Sequence, residues 1–331
     1  MVFTTVTVIA AVGKMSFFVP FVKINQQKIG IGYKPYLIAE IGLNHNINKK
    51  IISDTIKAAK KSGANAVKFQ SYTTDLFINR SDEKIHFLYD IFEQLELTLE
   101  LHNYAANQAT KFEIDFFSTP LTSDWVVHLK KMKVPLFKIA SGDVNNFQLL
   151  NSVCKEKNPL IISTGAASID EIDSLINFLK LKQKKNVILN HCVSLYPTPL
   201  EKTNLINIEF LQQRYDIPIG FSDHTEGSDA AFIASAMGAV AIEKHFTLDK
   251  NLEGPDHKMS NDMADLQLLR QKIDMGFNMR GSQKKQALIE EIQGDYYGKR
   301  SLYDVKGDIV AQRPRVKYLP QDKDYLDICL D

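Results

Sequence analysis

Short apolar runs alternating with amphipathic stretches set the rhythm of this chain from residue 36 to residue 280. The runs over 36–42, 66–70, 115–120, 136–141, 159–165, 187–192, 217–225 and 239–247 break into polar residues at their C-terminal ends. That is the pattern of parallel strands buried on both faces. Helical patterns over 50–62, 98–110, 125–132, 149–155 and 228–238 lie between them, the first and last closed by Gly63 and Gly238. Ser168 and Glu171 have the spacing of a capping box, and a closing helix is predicted over 263–280. Eight βα units in series predict a (β/α)8 TIM barrel. A doubly wound open sheet is the alternative, but no GxGxxG turn follows the first strand. A hairpin over 18–32, turning around 25–28, precedes the barrel. The connection after the second strand is long and carries a helix of its own over 83–95.

The pattern stops after Gly281. Residues 282–331 read as a charged helix or linker followed by a short polar segment, too small to fold alone. The apolar run over 1–12 lacks a positive segment before it, so residues 1–14 are expected to be a leader or start-site artefact, with Met15 as the start. The barrel is then assigned to 15–281.

Charge and cysteine content narrow the class. Lysine and arginine total 40 against 39 acidic residues, a net charge of +1, which gives no basic stripe for nucleic acid. Cys154, Cys192 and Cys329 are far apart and form no CxxC pair, which suits a reducing cytoplasm. After the leader no run approaches the ~20 apolar residues of a membrane span. The expectation is a cytoplasmic enzyme.

In a barrel the chemistry lies at the C-terminal strand ends. Here those ends carry Glu40, Lys68, Gln70, Ser118, Thr119, Lys138, Ser141, Ser163, His191, Asp223, His224, Glu243 and His245. His224 and His245 stand at equivalent ends of adjacent parallel strands, which makes them a candidate metal pair rather than two polar rim residues. Lys68 and Lys138 need counter-charges. Either Glu40, Asp143 or Glu243 pairs with them, or they surround an anionic ligand together with the serine and threonine hydroxyls. Two ammonium groups and several hydroxyls suit a phosphate plus a carboxylate. Asp143 is a candidate base, or else the cap of a turn before Asn145 and Asn146. His191 and Cys192 are adjacent on a strand, point to opposite faces, and form no dyad. Tyr196 sits in a stiff Tyr-Pro-Thr-Pro turn over the mouth, and Gly254-Pro presents Asp256 and His257 likewise.

These residues, taken in order, resemble the sialic acid synthases. The matching runs are Ile38-Ala-Glu-Ile-Gly-Leu-Asn-His45, Val67-Lys-Phe-Gln70, Phe117-Ser-Thr-Pro120, Lys138-Ile-Ala-Ser-Gly-Asp143 and Ser163-Thr-Gly165. They continue with His191-Cys192, Tyr196-Pro-Thr-Pro199, Phe221-Ser-Asp-His-Thr225, Glu243-Lys-His-Phe-Thr247 and Gly254-Pro-Asp256. The resemblance spans roughly residues 26–280. It implies a TIM barrel that condenses phosphoenolpyruvate with an N-acetylated amino sugar such as N-acetylmannosamine, giving a nonulosonic acid and phosphate by C–O cleavage. It implies a divalent metal, Mn2+ or else Mg2+ or Co2+, held by His224 and His245. Lys68, Ser118, Thr119, Lys138, Ser141 and Ser163 would hold phosphoenolpyruvate. Glu40, Gln70, Ser194, Tyr196 and Asp256 would hold the sugar, with Glu40, Lys138 and Asp143 in catalysis. The family's C-terminal antifreeze-like (SAF) domain caps the partner barrel of a homodimer and donates an arginine from an Arg-Pro-Gly motif. Arg313 stands in the matching position here, with Arg315 in place of the glycine.

Three alternatives stay open. A legionaminate or pseudaminate synthase would use a diacetamido sugar. A class I aldolase would form a Schiff base on Lys68 or Lys138. A non-catalytic sugar-phosphate binding protein would hold phosphoenolpyruvate without turnover.

Overall fold

The computed structural model describes residues 20–281, 285–293 and 295–314; the leader assignment and Arg315 lie outside them. The chain divides into two units, residues 1–281 and 282–331.

A hairpin opens the first unit. β1 (Phe21–Ile24) and β2 (Gln27–Gly30) pair antiparallel, with Asn25 at φ +49° in the turn. Val22, Ile24 and Ile29 are buried by the hairpin's inner face.

The barrel follows. β3 (Tyr36–Gly42) leads to α1 (Lys49–Lys61), and β4 (Ala66–Ser71) to an excursion holding α2 (Thr74–Phe77) and α3 (His86–Gln94) before α4 (Leu99–Lys111). Next come β5 (Asp115–Pro120), α5 (Ser123–Lys131), β6 (Phe137–Ile139), α6 (Phe147–Cys154), β7 (Leu160–Ser163) and α7 (Ile169–Leu181). β8 (Val187–Cys192), α8 (Ile206–Arg214), β9 (Ile219–Asp223), α9 (Asp229–Ala236), β10 (Ala241–His245) and α10 (Met263–Arg280) complete it. The eight parallel strands run in the order β5-β4-β3-β10-β9-β8-β7-β6, and β5 and β6 lie beside each other to bring the sheet round. This is the (β/α)8 barrel that the apolar runs predict. Every residue of β3 is buried, because one face fills the interior and the other packs on helices.

Local signals fix the joints. The Ser168–Glu171 capping box starts α7 as predicted, and Asp262 with Asp265 forms a second one at α10. β6 is shorter than the predicted run: Ser141–Asp143 leave the strand as a 3-10 turn. None of the described residues' helices is long and apolar enough to cross a membrane.

In the second unit, α11 (Ile289–Gln293) falls on the charged helix-or-linker stretch, and α12 (Asp295–Gly298) and a hairpin of β11 (Ser301–Val305) and β12 (Asp308–Gln312) stand where only a mixed polar segment is legible in sequence.

Two histidines are buried neutral in the barrel wall. Burial holds His102 down to about 4 and His45 down to about 3, from an ordinary 6.5. In the unfolded chain both take up a proton below about pH 6.5, but in the fold they do not until the pH is far lower. Their contribution to stability is therefore complete above pH 6.5 and is lost as the pH falls towards 4. Urea unfolding at pH 5.0 is expected to show a lower midpoint than at pH 7.5, by up to about 1.4 kcal/mol per pH unit for each histidine. His102→Gln should shrink that difference; an unchanged difference would exclude His102 as a source.

Candidate active site

The strand ends close around a cavity of about 200 Å³ at the C-terminal mouth of the barrel. Glu40, Lys68, Gln70, Thr119, Lys138, Ser141, Ser163, Tyr196, His224 and His245 all line it, ten of the residues picked out in sequence. Alternation along each strand puts them there, since residues two apart share a face.

The two lysines have different surroundings. Lys68 Nζ lies 2.9 Å from Glu40 Oε2 and 3.5 Å from Glu243 Oε1, and donates to Thr119 Oγ1 at 3.1 Å. Burial alone would lower its pKa, but Glu243 and Glu40 outweigh that and raise it. Lys138 Nζ donates to Ser163 Oγ and to the Ile139 carbonyl, both at 2.7 Å. No carboxylate among the described residues lies within 4 Å of it, and burial holds its pKa below the ordinary value. Lys68 thus has carboxylates in contact, whereas Lys138 has none in contact and only the more distant charge of Glu243 acts on it. Ser141 Oγ accepts the Gly165 N–H at 2.9 Å next to Cys192, completing a hydroxyl-lined corner around Lys138.

Across the mouth, the His224 and His245 ring centroids lie 5.5 Å apart, with the Tyr196 ring 4.1 Å from His224. The Val193 carbonyl, 2.8 Å from His224 Nδ1, requires that nitrogen to carry the proton, which leaves Nε2 as a lone-pair donor. His245 Nδ1 and Glu243 Oε2 are buried without hydrogen-bond partners. Burial, and then His224, hold His245 neutral, as a ligand must be. The donor set fits a divalent cation. No tight group of three or more His, Cys, Asp or Glu side chains occurs among the described residues, so water or substrate oxygens would complete the shell.

Glu40, Gln70 and Asp256 converge above Gly42: a Cβ built there would lie 3.1, 3.4 and 3.5 Å from their polar atoms. Asp256 Oδ2 is also 3.5 Å from His245 Nδ1, and burial raises its pKa to about 6. His257 does not reach the mouth; its ring nitrogens contact Thr247 and Asn46 and pin the turn that carries Asp256.

Four predicted site residues lie elsewhere. Ser118 faces the helical layer, because Thr119 beside it faces the cavity. The Thr98 carbonyl at 3.1 Å places a proton on His102 Nδ1, so His102 Nε2 accepts the Ser71 hydroxyl and Ser71 accepts that of Ser118. Ser118 has no proton left for an anion. Asp143 is outside the lining, in the turn after β6, where its Oδ1 accepts from Asn146 at 2.9 Å. Asn146, not Asp143, caps the helix that follows, and burial raises the pKa of the Asp143 carboxyl while Asn146 and Lys138 act against that. Ser194 lines a separate cavity of about 460 Å³ outside β8, which shares only Cys192 with the central one. Arg313 follows β12 in the second unit.

Glu243, named among the strand ends, lines the cavity too, and so do six residues that the sequence does not single out for the site: Phe77, Phe92, Leu121, Ala140, Cys192 and Ser222, whose hydroxyl donates to Glu243 at 3.2 Å. Glu243 and Ser222 each stand two residues before a histidine on the same strand face, a signal that alternation supplies. Cys192 contacts His224 Nδ1 at 3.8 Å across the β8–β9 pair. That contact needed the strand register.

The site is thus the mouth of a parallel (β/α)8 barrel with a buried ammonium that no carboxylate touches, hydroxyls and a histidine pair. The NeuB family model matches residues 55–285, and the chain belongs to the NeuB family, an enzyme of the sialic acid-type synthase class. It is 43% identical over 292 residues to an uncharacterized protein of Methanocaldococcus jannaschii, covering 88% of this chain and 83% of that one. It is 35% identical over 311 residues to the N,N'-diacetyllegionaminic acid synthase of Legionella pneumophila, covering 87% of each. The crystal structure of an N-acetylneuraminic acid synthetase from Leptospira borgpetersenii in complex with citrate superposes with a TM-score of 0.79 at 32% identity. It covers 83% of this chain and 95% of that one.

Proposed function

We propose that this chain condenses phosphoenolpyruvate with an N-acetylated amino sugar aldehyde to give a nonulosonic acid and inorganic phosphate. The observation that carries this is Lys138: a buried ammonium with hydroxyl and carbonyl partners but no carboxylate. Such a group is costly unless an anion completes it. Phosphoenolpyruvate supplies one.

Lys138, Ser141 and Ser163 would hold the phosphate, and Lys68 and Thr119 the carboxylate. Glu40, Gln70 and Asp256 would orient the sugar hydroxyls over Gly42, with Tyr196 closing the mouth. C3 of phosphoenolpyruvate attacks the aldehyde carbon: the C2=C3 π pair forms the new C–C bond and leaves cationic character at C2. The carbonyl π pair moves to the aldehyde oxygen, which takes up the proton that the attacking water gives up. Water adds at C2, and its proton passes by way of Glu243, whose Oε2 is buried without a partner. The tetrahedral carbon then expels phosphate by C–O cleavage, and Lys138 stabilises the departing charge in place. A divalent cation, Mn2+ foremost, held by His224 and His245 would polarise the aldehyde when bound. A homodimer, with Arg313 reaching the partner's sugar, belongs to the same proposal.

The test is phosphate release with Mn2+, phosphoenolpyruvate and, separately, N-acetylmannosamine, its 6-phosphate and the diacetamido sugars. Release with one sugar, abolished by EDTA and by His224→Ala, is expected. Binding of phosphoenolpyruvate without release from any sugar would instead establish the binding-protein reading. A depressed lysine pKa also favours Schiff-base chemistry on Lys138. Borohydride with pyruvate would trap an adduct there if the aldolase reading were right; the synthase predicts none.

Gly42→Ala probes the sugar end. Its φ of +51° disfavours any side chain, and the new methyl would crowd Glu40, Gln70 and Asp256. KM for the sugar should rise by at least about tenfold while phosphoenolpyruvate still shifts the melting curve. An unaltered KM would remove those three side chains from the sugar site.

A further inference from the structure

We infer that Phe77 and Phe92, with Leu121, form the specificity wall of the cavity and select an amino sugar whose far end carries a methyl group and no phosphate. This rests on the synthase reading and deepens it.

The wall is built and fixed. After β4 the chain leaves the barrel through α2 and α3, and Phe77 and Phe92 from this excursion line the same cavity as Lys68 and Lys138. Their ring centroids are 5.2 Å apart, edge to face, and the buried Tyr72 ring packs 5.7 and 5.2 Å from them. Polar ties hold the excursion in place. Tyr72 donates to the Phe92 carbonyl at 3.1 Å, Tyr89 to Asp75 at 2.6 Å, and the Thr74 hydroxyl to Glu96 at 2.7 Å. The rings are therefore a preformed surface rather than a loose loop.

The strand order places the wall past the sugar's hydroxyl groups, above Lys68 and Thr119 and before the ring returns to β6. Phosphate belongs at β6–β7 with Lys138, and the aldehyde at β9–β10 with the histidines. Continuing round the barrel from β10, the hydroxyl-binding Glu40, Gln70 and Asp256 stand above β3 and β4. The next side chains are Phe77 and Phe92 after β4 and Leu121 after β5. A sugar laid from its aldehyde along this path ends on an apolar surface.

Charge excludes the phosphorylated alternative. Among the described residues the lysine and arginine side chains lining the cavity are Lys68 and Lys138 alone. Lys68 is already shared by Glu40 and Glu243, and Lys138 is assigned to phosphoenolpyruvate. A second phosphate, carrying about −1.5 to −2 charges, would meet phenylalanine rings with no free cation among the cavity's own lining, which leaves Arg313 of the partner subunit to the sugar's hydroxyls. A terminal methyl loses nothing there and is favoured over a hydroxymethyl by roughly tenfold.

The test compares kcat/KM for phosphate release with three sugars: N-acetylmannosamine, its 6-phosphate, and its 6-deoxy counterpart. The 6-deoxy sugar should lead N-acetylmannosamine by about tenfold, with the 6-phosphate at least about a hundredfold below. Phe77→Ala and Phe92→Ala should each erase most of the 6-deoxy preference while KM for phosphoenolpyruvate stays. Phe77→Leu, which keeps an apolar surface, should retain the exclusion of the 6-phosphate. Release that is fastest with the 6-phosphate, or a preference unmoved by the alanine variants, overturns this inference and leaves the synthase standing. No release with any sugar overturns both. Should an alanine variant fail to fold, the ranking of the three sugars by the unaltered enzyme decides alone.

Discussion

Lys138→Met is expected to lower kcat/KM for phosphate release by about 10²–10³-fold while leaving the fold as stable as before, or more so. The ammonium is buried, and its partners are one hydroxyl and one carbonyl. No carboxylate touches it in the free protein, and burial pushes its pKa down further than the more distant charge of Glu243 raises it. Methionine of similar length removes that desolvation cost and retains most of the packing. The loss appears only when phosphate must be held and released. Urea unfolding and steady-state kinetics on one preparation separate the two effects. A variant that unfolds earlier than the parent would show that Lys138 is a structural group, and the anion site would have to be sought elsewhere.

Lys68→Met should do the opposite to stability. This ammonium lies within 2.9 Å of Glu40 and 3.5 Å of Glu243, and all three groups are buried. Removing it leaves two carboxylates facing each other without a cation, and breaking a buried pair in this way costs about 3–5 kcal/mol. Part of that is recovered by protonating Glu40, whose carboxyl burial already raises to about 7 even with Lys68 present. The destabilisation should therefore be smaller at pH 6 than at pH 8. Adding Glu40→Gln should restore much of the stability but not activity. Equal stability of Lys68→Met and the parent at pH 8 would sink the ion-pair account. Two lysines at strand ends of one barrel would thus give opposite signs in the same assay.

The difference between them was not legible in sequence. Both read as a lysine at a strand end needing either a carboxylate or an anion, and both readings turn out to apply, one to each. Which lysine meets Glu40 and Glu243 depends on the strand order, since β4 lies beside β3 and β10 is next, whereas β6 is on the far side of the barrel.

Local sequence determined a great deal. The apolar runs predicted the eight strands, because a strand buried on both faces leaves few polar positions. The glycines and the Ser168–Glu171 box marked the helix ends, because those backbone groups have few ways of being satisfied. The polar residues at the run ends gave ten of the cavity's residues, Glu243 among them, since a barrel presents its strands' side chains to the mouth there. Alternation also places Ser222 inside and Ser118 outside.

Tertiary structure decided the rest. Asp143 lies in a 3-10 turn rather than on a strand because β6 stops at Ile139, a boundary set by pairing with β7 rather than by the residues themselves. Cys192 reached His224 through the β8–β9 register. Phe77 and Phe92 carried no signal at all: an aromatic residue in a long connection is apolar wherever it lies. Only the path of the excursion, fixed by hydrogen bonds between residues up to 22 positions apart, brings them over the mouth. Sequence sets what each residue can do. Which residues share one small volume follows from how the barrel closes, because that alone sets the distances over which charge and hydrogen bonding act.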